Sequence, residues 1–145
     1  TPPGGYGETM PPAVLATCNE PLVAGAPDLR GTWKVTEVEV DGKPAPPTHR
    51  AFGLVQRIEQ CGNRLVVTAG GVVHDMRCDG TEEHGVHDVL ETDFKTPVNV
   101  VASYEDGVHV LRPVGIPGVE VTRWREGARL GWKYLNFTSR SERID

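Results

Sequence analysis

Three histidines and a tyrosine, His74, His87, Tyr104 and His109, sit on successive strand-like stretches separated by short turns. Counting through those turns sets them side by side. The turn Cys78-Asp79-Gly80-Thr81-Glu82-Glu83 places His87 across from His74, and Phe94-Lys95-Thr96-Pro97 places Tyr104 across from His87. Asp106-Gly107, a two-residue hairpin signal, places His109 across from Tyr104. Facing residues have Cβ atoms roughly 4.5–5.5 Å apart, so one row across four strands is expected. Imidazoles near their reference pKa of about 6.5 can give or take a proton at neutral pH. Neighbouring imidazoles oppose each other's protonation, which keeps one of them a neutral base. Tyr104 could donate to a developing oxyanion, and Glu37, Glu91 or Glu120 could orient a histidine. Cofactor-free lyase or isomerase chemistry is the expectation.

Two alternatives compete with that reading. The histidines could be core residues satisfied by buried hydrogen bonds. They could instead form a three-histidine zinc site. His74 and His109 would then be three strands apart, on the order of 14 Å, which is too far for one ion, so no metal is expected.

The elements that must hold this row are strands. Alternation predicts them at Gly31–Val40, Ala51–Gln60, Arg64–Ala69, Val72–Arg77, Gly85–Asp93, Val98–Tyr104, Val108–Arg112, Val119–Arg125 and Leu130–Thr138. Short turns rich in Gly, Asn, Asp and Pro join them, and no stretch shows a helical period of useful length. The row's face also carries Val72, Met76, Val89, Val98, Val100, Ala102 and Leu111, so it should point inward. Eight to nine meandering antiparallel strands must remove their exposed edges, and closure into an up-and-down barrel does so. An all-β barrel of eight or nine strands is expected over residues 28–145. A Pro/Gly-rich arm over residues 1–27 precedes it, in which Leu22-Val23-Ala24 could form a turn or an end plug. The interior should also present Gln56, Trp124, Trp132 and Tyr134, with Glu37, Glu91 and Glu120 as further ligand contacts. Apolar walls with a few placed polar groups suit one small, aromatic molecule.

Composition narrows the partners. A formal charge of −5 over 145 residues with no basic stripe argues against nucleic acid, and no apolar run is long enough for a membrane helix. Arg123, Arg125, Arg129 and Lys133 read as a solvated basic patch. A homodimer stays open. Thr1 at the start of the chain suggests a mature end left by removal of an export signal, hence a periplasmic or secreted protein, with the cytoplasm as the alternative. Cys18, Cys61 and Cys78 lack metal-site spacing; pairing of Cys18 with either of the others would staple the arm to the barrel.

Asp28-Leu29-Arg30-Gly31-Thr32-Trp33-Lys34-Val35 resembles the opening of a lipocalin or wider calycin-family barrel, whose first strand begins Gly-x-Trp. The resemblance implies a structural trio: Gly31, Trp33 closing the barrel floor, and an arginine after the last strand packed over it. Arg140 is the favoured candidate and Arg143 the other. It also implies a non-catalytic carrier, or a haem-binding barrel with one histidine as axial ligand, as rivals to an enzyme. Val73-His74-Asp75, Val86-His87-Asp88 and Gly107-Val108-His109, with Leu111 to Gly118, are similar to small calycin-type lyases of lignin-derived aromatic catabolism in bacteria. That likeness implies formaldehyde release from an aromatic side-chain alcohol by retro-aldol cleavage, without a cofactor.

Overall fold

The computed structural model describes residues 12–69, 72–82, 87–89 and 97–145. Its elements are β1 (Gly31–Val40), β2 (Lys43–Pro44), β3 (Val55–Cys61), β4 (Arg64–Ala69), β5 (Val72–Arg77) and β6 (His87–Val89). They continue with β7 (Pro97–Glu105), β8 (Val108–Pro113), β9 (Val121–Glu126), β10 (Arg129–Tyr134) and β11 (Phe137–Arg143). Setting aside the two-residue β2 and three-residue β6, nine strands remain. All pair antiparallel, in the order β5-β4-β3-β1-β11-β10-β9-β8-β7-β6. The first strand pairs with the last, so the meander wraps into a nearly closed barrel with its seam between β5 and β6. An isolated bridge between Asp79 and Ser103, with the Gly80 N–H donating to Ala102 O at 2.8 Å, narrows the seam at one end. No helix among the described residues is long and apolar enough to cross a membrane.

Three local features depart from simple alternation. The expected last strand is a hairpin, β10 and β11, turning at Leu135-Asn136 with Leu135 at φ +54°. No glycine marks that turn. The second expected strand starts only at Val55, because residues 51–54 turn back, the Leu54 N–H donating to Ala51 O at 3.2 Å. In β1 the register to β11 slips between Val35 and Glu37. A bulge of this kind exchanges the faces of the residues beyond it, so Val38, not Glu37, is the buried residue there.

Two apolar layers fill the barrel. Nearer the floor are Leu29, Trp33, Ile58, Leu65, Met76 and Leu130. Nearer the mouth are Val35, Val38, Val121, Trp132 and Phe137. Leu111 touches both layers. The floor plug is Leu29, fully buried, whereas Val23 is 39% exposed. Residues 12–27 run along the β3–β4 corner. Cys18 is bonded to Cys61, Val23 N–H donates to Gly62 O at 3.2 Å, and Leu15 N–H donates to a Glu59 carboxylate oxygen at 2.8 Å. Cys78 is a free, buried thiol.

Trp33 closes the floor, but Arg140 does not cover it. Because β11 runs on to Arg143, that residue is the register partner of Trp33, and its guanidinium lies 4.9 Å from the indole centroid. Arg125 contributes a second guanidinium at 5.3 Å. Arg140 points outward from β11 and pairs with Glu126 at 2.9 Å. Gly31 makes room for this cover. It sits at φ +143°, and a Cβ there would come within 2.8 Å of Arg143 Nε.

Gly31→Ala should therefore destabilise the fold by about 1–3 kcal/mol, the usual cost of local backbone strain with crowding. Adding Arg143→Met, which removes the crowded guanidinium, should make the double variant less unstable than the sum of the single changes. Urea unfolding of the four proteins measures both quantities. Strict additivity would show that the glycine serves backbone strain alone.

Candidate functional site

The row of four does not form as expected. Tyr104 and His109 face one another across β7 and β8, their ring centroids 6.2 Å apart. His87, however, pairs with Asn99, five positions from Tyr104. His74 pairs with Val67 on β4, and no ladder joins β5 to β6 among the described residues. The Asp106-Gly107 turn has positive φ at both residues, 51° and 77°, as a tight two-residue hairpin requires. The turn before β7 lies outside the described residues, and the count through it does not match the β6–β7 register. His74 keeps the parity of Met76 on β5 and is half-buried. The side chain of His87 lies outside the described residues, as does Glu91.

The structure replaces the row with three polar contacts that span the barrel. The first joins β9 to β3: Arg123, 6% exposed, donates from Nε to Gln56 Oε1 at 2.9 Å. The second joins β7 to β3. Gln60 donates from Nε2 to the Tyr104 hydroxyl at 3.0 Å and to Pro27 O at 2.9 Å, and its Oε1 accepts from the Leu29 N–H at 2.7 Å. The third joins β8 to β5: His109 Nε2 lies 3.3 Å from Met76 Sδ.

Arg123 links these contacts to the upper layer. It faces His109 across β8–β9 and Trp132 across β9–β10, its guanidinium 5.8 Å from the Trp132 ring. Trp132 in turn stacks on Tyr134 with centroids 5.9 Å apart. Two buried nitrogens beside Arg123, His109 Nδ1 and Trp132 Nε1, have no hydrogen-bond partner in the structure. Burial, then the nearby Arg123 charge, hold the His109 ring far below the usual imidazole pKa, so it is neutral. Burial pushes the Cys78 thiol up to about 12 and raises the Tyr104 phenol, so both stay protonated.

Several expected contacts belong to the outer surface. Glu37 lies beyond the bulge and meets Arg129 at 3.4 Å. Glu120 is exposed and pairs with Arg112 at 3.0 Å. Trp124 is also outside, covering Gly131, where an added Cβ would meet its indole at 2.1 Å. The assumed parity of β9 was thus reversed: Val121, Arg123 and Arg125 point inward, and Thr122 and Trp124 outward. Arg123 leaves the supposed basic patch for the interior, whereas Arg125 stays exposed while lying over Trp33. Gln56 and Trp132 are inward as expected, and Tyr134 packs partly buried against the upper layer. Sequence reasoning missed Arg123, Gln60 and Met76 as site residues. Gly131 was the available clue, since an outward aromatic on one strand favours a glycine beside it on the next.

No protein-family model matches the chain, and no curated protein sequence matches it. Among solved structures, human cRBP IV, a cellular retinol-binding protein, is similar, with a TM-score of 0.64 at 15% identity. The match covers 81% of this chain and 98% of that one. At such low identity the likeness shows the fold alone, a calycin-like barrel.

The neutrality of His109 has a consequence for stability. Below its ordinary pKa of 6.5 the unfolded chain takes up a proton that the folded chain refuses. Stability should therefore fall as pH drops below about 6.5, with a slope from this group approaching 1.4 kcal/mol per pH unit. His109→Gln should flatten the profile between about pH 6.5 and 5. Denaturation midpoints across that window test it, and an unchanged slope in the variant would contradict the assignment.

Proposed function

We propose that the chain is a calycin-type carrier that holds one small molecule inside the barrel, apolar body toward the upper layer and acceptor head toward Arg123. The observation that carries this reading is a cluster of donors set deep in an apolar interior: the Arg123 guanidinium with His109 Nδ1 and Trp132 Nε1 beside it. A carboxylate or carbonyl is the group such donors recognise, because a charge-assisted bond in a dry site is strong and directional. Val35, Val38, Val121 and Phe137 supply the apolar wall, with Trp132 and Tyr134 as its aromatic part. The fold's similarity to human cRBP IV supports a barrel of suitable shape.

A carrier fits better than a cofactor-free lyase. The lyase reading needed several imidazoles in one row, and the ladder sets His87 against Asn99. The groups set against the His109 ring are Met76, Tyr104 and Arg123, none of them a carboxylate, and burial disfavours the imidazolium that a general base must become. The Cys18–Cys61 bond supports export to an oxidising compartment, where such bonds persist.

The test is a binding titration followed by Trp fluorescence, using matched pairs of aromatic and aliphatic carboxylates and their alcohols. Carboxylates should bind more tightly than alcohols. Arg123→Met should weaken carboxylate binding about 10–100-fold, the range for a lost charged hydrogen bond of roughly 1.5–3 kcal/mol, and leave alcohol binding nearly unchanged. Equal losses for both would remove Arg123 from the head-group role. Formaldehyde released from an aromatic alcohol, and abolished by His109→Gln, would replace the carrier with the lyase.

A further inference from the structure

We propose that the bond between Cys18 and Cys61 is a releasable latch for the arm, opened by a small thiol that enters at Cys61 Sγ. The latch sits at the β3–β4 corner and is independent of the carrier reading. Both cysteines are partly exposed, and exposed disulfides are the class open to exchange and regulation.

The two sulfurs have unlike surroundings. Cys18 Sγ accepts from the Glu20 N–H at 3.4 Å, a contact that favours a thiolate there. Cys61 Sγ lies 3.4 Å from Glu20 Oε2. That carboxylate is seated against the Gly62 turn, where an added Cβ would come within 3.1 Å of it. A thiolate on Cys61 is therefore opposed by the like charge beside it. Attack at Cys61 expels Cys18, whose thiolate the amide supports. Attack at Cys18 would expel Cys61 against the carboxylate. The thiol of lower pKa leaves faster, which selects Cys61 as the point of entry.

In the step itself, RS– bonds Cys61 Sγ as the bond to Cys18 Sγ breaks. The products are RS–S–Cys61 and a Cys18 thiolate, which takes a proton from solvent. The entering sulfur is oxidised as Cys18 is reduced, so the thiol is the whole co-reactant. Cys78 does not compete as an internal nucleophile. It is buried, and burial pushes its thiol up to about 12, so it stays protonated.

Once released, the Cys18 segment keeps few ties. Val14 and Leu15 donate N–H bonds to the Glu59 carboxylate at 3.1 and 2.8 Å, Arg57 Nη2 donates to Pro12 O at 3.2 Å, and Val23 N–H donates to Gly62 O at 3.2 Å. The chain from Pro27 onward is held independently, through Gln60 on Pro27 O, Arg125 on Asp28 O and Trp33 Nε1 on Leu29 O. Opening the latch thus frees the arm and leaves the barrel floor in place. It uncovers Arg57 and Glu59 on β3, an ion pair at 3.8 Å whose side chains are only 16% and 11% exposed with the arm docked.

The experiment treats the disulfide-intact protein with excess 2-mercaptoethanol, quenches early samples with acid, alkylates free thiols and maps the products by peptide mass spectrometry. The adduct on Cys61 with alkylated Cys18 should exceed the reverse product on the order of fivefold, from the charge placed beside one sulfur only. Glu20→Gln, an exposed change that should fold, should bring the two products toward equality. Hydrogen exchange on the reacted protein should show faster exchange at Leu15 and an unchanged Leu29 amide. An excess of adduct on Cys18, an unaltered ratio in Glu20→Gln, or a bond that resists excess thiol would overturn the assignment. Equal protection of Leu15 before and after reaction, or loss of protection at Leu29 as well, would overturn the latch.

Discussion

The indole of Trp33 holds the lead into β1, the end of β11 and the end of β9 at one point. It is wholly buried and donates from Nε1 to Leu29 O at 3.0 Å. The two guanidiniums over its ring do more than supply cation–π attraction, which is worth roughly 0.5–2 kcal/mol each. Arg125 donates to Asp28 O at 2.8 Å, and Arg143 donates to Arg30 O. The backbone carbonyls that lead into β1 are thus satisfied by side chains from β9 and β11. Pairing of the first strand with the last closes most of the barrel, and this cluster fixes where that pairing begins. Trp33 also faces Gln56 on β3, so the acceptor that receives Arg123 is placed by the same strand.

The sequence disclosed those parts whose local chemistry has one solution. Asp106-Gly107 allows one kind of turn, and the pairing of Tyr104 with His109 followed from it. The hydrophobic face of β7 and β8 followed from period-2 alternation, since Val100, Ala102, Tyr104, His109 and Leu111 leave little choice of side. Gly31-x-Trp33 disclosed the floor. Counting failed wherever the backbone departs from that simplicity without a residue that announces it. Leu135 turns a strand at positive φ with no glycine, and β11 therefore carries its arginine to Arg143 instead of stopping short at Arg140. The bulge near Thr36 is equally silent in the sequence, and it sends Glu37 to solvent.

The reversal on β9 has a different origin. Val121, Thr122, Arg123, Trp124 and Arg125 alternate perfectly well in either sense, and the ordinary rule assigns tryptophan to the core and arginine to water. Here both residues are exceptions for related reasons. Trp124 is used outside to cover the backbone at Gly131, while Arg123 is used inside across the barrel and Arg125, though exposed, lies over Trp33. Registers propagate along a ladder, so only the pairing of Arg123 with His109 and Trp132 on either side reveals the choice.

Three polar contacts crossing an otherwise aliphatic interior are not what stability alone would select. Desolvating a guanidinium costs several kcal/mol, and well-packed apolar residues can often replace such groups with no loss. Gln60 has a structural use, since it ties the Leu29 plug and the arm to Tyr104. Arg123 has no comparable task at the floor, and its partner Gln56 is neutral. Its position between the two apolar layers, beside Leu111 which touches both, puts a strong donor at mid-depth in the barrel. A group that weakens the case for packing in this way is what the proposed carrier would use to meet the acceptor end of its ligand.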